Sequence, residues 1–138
     1  MAAHEATQQF FMGGSAFDST KNVLGPKIGA FAMGIDTVTG KTKWRKFIER
    51  NSDKDEYFES AYGMAVSLDG TALAVHLQTL TTEFYNRYSI FASMRTSDGG
   101  ILFNAFELRH GIFSYHAHAA YSNSMVYKDA STLYVTFL

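Results

Sequence analysis

One stretch of this chain occurs twice, and that recurrence limits the possible folds more than any other feature. Gly63-Met-Ala-Val-Ser-Leu-Asp-Gly-Thr-Ala-Leu-Ala-Val75 returns about 60 positions later as Asn123-Ser-Met-Val-Tyr-Lys-Asp-Ala-Ser-Thr-Leu-Tyr-Val135, so that Asp69 falls on Asp129, Leu73 on Leu133 and Val75 on Val135. Recurrence at such a spacing marks a repeat architecture, in which each unit buries its apolar face by stacking on the next. A second pattern keeps step with the first. Phe31-x-Met33-x-Ile35 with Gly40 and Trp44 aligns with Ile90-x-Ala92-x-Met94 with Gly99 and Phe103, about 59 positions on.

The segments between these landmarks alternate with period two and nowhere hold a 3.6-residue period over a helix length, so the chain reads as all-β. Strands are expected at Phe10–Met12, Ile28–Ile35, Lys41–Glu49, Ala61–Leu68, Thr71–Thr79, Ser89–Arg95, Ile101–Leu108, Ala119–Tyr127 and Ser131–Phe137, nine in all. In the second of these, Phe31, Met33 and Ile35 alternate with Ala30, Ala32 and Gly34, which suits a strand packed tightly between two sheets. Asp36-Thr-Val-Thr-Gly40 and Asp69-Gly70 read as turns: the aspartate bonds forward to the backbone and the glycine tolerates a left-handed conformation. Ser15–Lys27, which holds the only proline, and the highly charged Arg50–Glu59 read as loops. Leu80–Arg87 reads as a loop or one helical turn, and His110–His118 as a connection or an edge. The expected organisation is a single β-repeat domain over 1–138. It divides into a partial unit at 10–50, a complete four-stranded antiparallel unit at 61–108 and a partial unit at 119–138.

Phe31-Ala-Met-Gly-Ile-Asp-Thr-Val-Thr-Gly-Lys-Thr-Lys-Trp-Arg45 resembles the blade signature of quinoprotein-like β-propellers, with Asp36, Thr39, Gly40 and Trp44 at the matching positions. Tyr62–Val75 is similar to the repeat of seven-bladed β-propeller proteins, and Phe11-Met-Gly13-Gly14 looks like the end of such a strand in the preceding unit. The resemblance implies about two and a quarter four-stranded blades, where a propeller closes with 4–8. The chain is therefore expected to be a fragment of a longer polypeptide or a unit that assembles. The second copy departs from the pattern: Phe103 stands for the tryptophan, Arg95 for the aspartate, and Ala130 for Gly70. A quinone site of the kind that family uses often needs a vicinal cysteine pair, and this chain has no cysteine.

Composition removes several function classes. Twelve Lys and Arg against thirteen Asp and Glu leave a formal net charge of -1, which does not suit a protein that tracks nucleic-acid phosphates or a polybasic membrane surface. No apolar stretch approaches the ~20 residues of a membrane-spanning helix. Met1–Gln9 is polar and lacks the layout of a secretory signal, so no compartment is assigned. No phosphate loop, dinucleotide fingerprint or nucleophile elbow is present.

Candidate chemistry is sparse. His116 and His118 lie two apart on an extended segment, a spacing that can ligate zinc or copper, but no third ligand is evident, and packing is the competing reading. Asp53-Lys-Asp55-Glu56 lacks the alternating oxygens and glycine bend of a calcium loop. No catalytic residue and no cofactor is expected. Tyr85, Tyr88 and Phe113 are candidate interface residues in connections, and Asp36, Gly40, Asp69, Gly70 and Trp44 are structural. The leading expectation is a non-enzymatic structural or assembly module that recruits a protein partner or a second copy through exposed β edges. The alternatives are a lectin-like module that stacks carbohydrate on rim aromatics and a diverged quinoprotein-like enzyme fragment.

Overall fold

The computed structural model describes residues 1–18, 27–48, 56–81, 87–109, 125–129 and 132–135. The described residues are all-β. Ten strands run β1 (Ala2–His4), β2 (Gln9–Asp18), β3 (Lys27–Asp36), β4 (Thr42–Ile48), β5 (Glu56–Val66), β6 (Ala72–Thr81), β7 (Arg87–Arg95), β8 (Ile101–Arg109), β9 (Met125–Asp129) and β10 (Thr132–Val135). They form three antiparallel sheets in which chain neighbours pair: β1-β2-β3-β4, β5-β6-β7-β8 and β10-β9.

Two apolar layers join the three sheets. Phe11, Ala30, Ala32, Trp44 and Ile48 of the first sheet meet Met64, Leu73, Val75, Leu77, Ala92 and Met94 of the second. On the other face of the second sheet, Ala65, Ala72, Ala74 and Phe91 meet Met125 and Tyr127 of the third, with Leu133 and Val135 packed alongside. Side chains alternate across a strand, so each core strand of the second sheet serves both layers: Leu73, Val75 and Leu77 point one way, Ala72 and Ala74 the other. Small residues let the sheets approach closely. A Cβ on Gly13 would lie 3.1 Å from the Ala61 Cβ and would collide with the Met64 methyl.

The β3–β4 and β7–β8 turns close with matching backbone hydrogen bonds. In the β3–β4 turn the Asp36 amide donates to Lys41 O (2.9 Å) and the Gly40 amide to Asp36 O (2.8 Å). In the β7–β8 turn the Arg95 amide donates to Gly100 O (2.7 Å) and the Gly99 amide to Arg95 O (2.9 Å). Gly40 and Gly99 share a left-handed backbone, with φ of 67° and 71°. The pairing register slips at Gly34/Ile35 and again at the equivalent Ser93/Met94.

Several strands differ from their expected limits. The first sheet has four strands, because Ala2–His4 pairs with Gln9–Phe11. Three small or polar residues carry no periodicity, and cross-strand pairing makes them a strand. Ser15–Asp18 and Lys27, expected in a loop, extend the β2–β3 hairpin to the Asp18↔Lys27 pair. Glu56–Glu59, also expected in a loop, belong to β5. Register shifts at Phe58/Ser60 and Ala61/Gly63 break the alternation that would have revealed the strand. Leu80 and Thr81 continue β6 and Arg87 begins β7. β9 carries Lys128 and Asp129, expected in the turn of the last hairpin, while 119–124 lie outside the described residues.

Candidate functional site

The junction between the first two sheets centres on Trp44, which is 7% exposed. Its Nε1 donates to Thr96 O at 2.7 Å, from the first sheet into the β7–β8 turn of the second. The indole lies between two glycines. A Cβ on Gly34, its cross-strand neighbour, would sit 2.6 Å from Nε1, and a Cβ on Gly99 would sit 2.6 Å from Cε3. Phe11 completes the cage with its ring centroid 6.2 Å away. The Gln9 amide, oriented by its partners, also donates to Thr96 O (3.1 Å) and accepts from Lys43 Nζ (3.2 Å).

The turn aspartates hold the strand ends. Asp36 Oδ1 accepts from the amides of Thr39 (2.8 Å) and Val38 (3.0 Å), and the Thr39 amide is the main reason its carboxyl titrates below the usual range. Asp69 Oδ1 accepts from the Ser67 hydroxyl (2.6 Å), the Thr71 hydroxyl (2.9 Å) and the Thr71 amide (3.1 Å), and the Ser67 contact lowers its pKa most. In the β7–β8 turn Arg95 stands where Asp36 stands in the first copy. Asp98 takes over the role there, accepting from the Gly100 amide (2.8 Å) and from Arg95 Nε (3.0 Å), and its pKa is lowered chiefly by that amide. Gly70, with φ of 72°, lies against His4, whose Nε2 donates to Leu68 O at 3.0 Å and so ties the tips of the first and second sheets.

Asp36, Gly40, Asp69, Gly70 and Trp44 sit in turns and at the sheet junction. Among the described residues no cluster of three or more His, Cys, Asp or Glu could hold a metal ion. His76 is fully buried and stacked on Phe91 with centroids 4.8 Å apart. Burial also raises the Tyr127 pKa in the layer between the second and third sheets, where the Tyr127 and Ser93 hydroxyls are 3.3 Å apart. Tyr85, Phe113, His116 and His118 lie outside the described residues. Tyr88, expected in a connection, is in β7, with its backbone paired to Thr79 on one side and Arg109 on the other. Among the described residues no helix is long and apolar enough to cross a membrane.

What does stand out is the face of the first sheet turned away from the second. Phe10, Met12, Phe31, Met33 and Ile35 point there, half-buried, together with the exposed Phe47. They form cross-strand pairs Phe10↔Ile35, Met12↔Met33 and Phe31↔Phe47. The Phe31 and Phe47 rings spread over Gly14 and Gly29, where a Cβ would lie 3.4 Å and 2.8 Å from them. None of these side chains belongs to either core layer. Sequence reading missed this face because β2 is equivalent to β6 at an offset of about 63, not 60. With that offset on β2 and one of about 59 on β3, Phe10/Ile35 matches Leu73/Met94 and Met12/Met33 matches Val75/Ala92. No family model, curated protein or solved structure matches this chain.

Proposed function

We propose that this chain is a non-catalytic structural module of the β-propeller-like repeat kind, whose function is to be completed by a neighbouring sheet at its uncovered apolar face. The observation that carries this reading is the equivalence of faces. The positions occupied in the second sheet by Leu73, Val75, Ala92 and Met94 are at most 4% exposed against the first sheet. The same positions in the first sheet hold Phe10, Met12, Met33 and Ile35, and among the described residues nothing covers them. A contiguous apolar face of this kind marks an interaction surface in a soluble protein. The blade interpretation draws its support from the consecutive antiparallel order, the face-to-face stacking and the tryptophan lodged between glycines of successive sheets.

The test is particle mass. Light scattering on the purified chain between about 1 and 200 μM should give a mass that rises above 15.4 kDa with concentration, with added low-level detergent lowering it. A monodisperse 15.4 kDa species throughout that range, with no binding of a hydrophobic dye, would remove the reading.

A further inference from the structure

The same cross-strand pair can be followed through all three sheets. In the first it is Ala2↔Phe11, in the second Ala65↔Ala74, in the third Val126↔Tyr134. In the first two sheets this pair points at the following sheet and lies in an apolar layer. In the third it points away from the second sheet, and Val126 and Tyr134 are 60% and 53% exposed. The neighbouring pair, which points at the preceding sheet, is Ala3↔Phe10, then Val66↔Leu73, then Leu133↔Tyr127. Here the order is reversed: the second and third copies are packed against their predecessors, and among the described residues the first has none. The described sheets therefore present two different outer faces, one of the kind that receives a preceding sheet and one of the kind that is received by a following sheet.

We infer that a second copy of this chain covers the first sheet, docking head to tail: the Val126/Tyr134 face of one copy seats on the Phe10/Met12/Met33/Ile35 face of the next. This rests on the assembly reading above and adds the identity of the partner and the polarity of the contact. The contact repeats the geometry that joins first to second and second to third sheet within the chain, so it needs no surface type that the fold does not already use. Self-pairing of the first-sheet face is a weaker alternative. In both internal layers a receiving face meets a face of the other kind, and neither layer joins two alike. A head-to-tail contact uses two different patches and so builds rings or open filaments rather than a closed two-fold dimer.

Complementation between two broken faces tests this. Met33→Glu buries a charge in the receiving face, with Phe47→Glu, at an exposed position of the same face, as a second variant. Val126→Glu/Tyr134→Glu does the same to the opposite face. Circular dichroism and Trp44 emission check that each is folded. Each variant alone should remain at 15.4 kDa at concentrations where the wild type assembles, with at least a tenfold weaker association. An equimolar mixture of Met33→Glu with Val126→Glu/Tyr134→Glu retains one good junction and should give a 1:1 particle of twice that mass. If Val126→Glu/Tyr134→Glu alone assembles as the wild type does while Met33→Glu is monomeric, head-to-tail docking is overturned and the covered first-sheet face survives. If both variants assemble unchanged, or the wild type is monomeric throughout, the inference and the assembly reading fall together.

Discussion

Gly40 and Gly99 form a matched pair that isolates the contact between the first two sheets. Both close a turn with the same two backbone hydrogen bonds, and their φ values are 67° and 71°. They differ in their neighbours. A Cβ on Gly40 would meet nothing within 4 Å, whereas a Cβ on Gly99 would lie 2.6 Å from Trp44 Cε3. Alanine at either site incurs the left-handed penalty of about 1–2 kcal/mol. At Gly99 there is also overlap with an indole that cannot retreat, held by its 2.7 Å bond to Thr96 O and backed by Gly34. Forcing an extra carbon into such a packed site costs about 1–3 kcal/mol more. Gly99→Ala should therefore unfold at a urea midpoint about 1 M below that of Gly40→Ala, for a denaturant slope of about 1–3 kcal/mol/M. Its Trp44 emission should also shift while that of Gly40→Ala does not. Equal destabilisation of the two variants, within about 0.5 kcal/mol, would refute the claim that this glycine exists to admit the neighbouring sheet's tryptophan.

Three further outcomes follow from the same contacts. Trp44→Phe removes the indole donor but leaves Gln9 on the Thr96 carbonyl, so the loss is one hydrogen bond of about 1 kcal/mol plus a cavity term of about 1–2 kcal/mol, read by circular dichroism during urea unfolding. Combining Trp44→Phe with Gly99→Ala should cost at least about 0.5 kcal/mol less than the sum of the two, because the smaller ring relieves the overlap, and strict additivity would count against direct contact. Asp69, with its carboxyl titrating below the ordinary range, binds fewer protons folded than unfolded, so its contribution is complete above the unfolded value near 4 and is lost as pH falls through the folded one. The gap in urea midpoint between wild type and Asp69→Asn should accordingly be widest above about pH 5 and close toward pH 2.5, and a pH-independent gap would contradict the turn assignment.

Much of this architecture is legible in the chain itself, for definite reasons. Strand alternation in Ile28–Ile35 and Thr71–Thr79 is strong because each has both faces or one face buried, and Asp69-Gly70 and Thr39-Gly40 carry turn chemistry that few other structures use. Strand ends are less legible where pairing, not side-chain pattern, decides them. Ala2–His4 is a strand because Gln9–Phe11 offers it a ladder, and β5 hides its first turn of alternation behind two register shifts. The uncovered face was harder still. Its residues are scattered over β2, β3 and β4, and β2 matches β6 at an offset of about 63 while β3 matches β7 at about 59, so a single spacing does not align Phe10 and Met12 with Leu73 and Val75. In the sequence Arg95 takes the position of the turn aspartate Asp36. In three dimensions Asp98 fills that role from three residues further on.

The methionines allow the central claim to be read directly. Of the six, Met64, Met94 and Met125 lie in the two internal layers, while Met12 and Met33 sit on the face of the first sheet that no described residue covers. With carbon-13-labelled methyl groups and a soluble paramagnet, Met64, Met94 and Met125 should be protected from relaxation at every protein concentration. Met12 and Met33 should be strongly relaxed in dilute solution and become protected together as the concentration rises into the range where the particle grows. Met12 and Met33 methyls that stay fully accessible in the assembled particle would contradict the account, because the face it assigns to a neighbouring sheet would then have none.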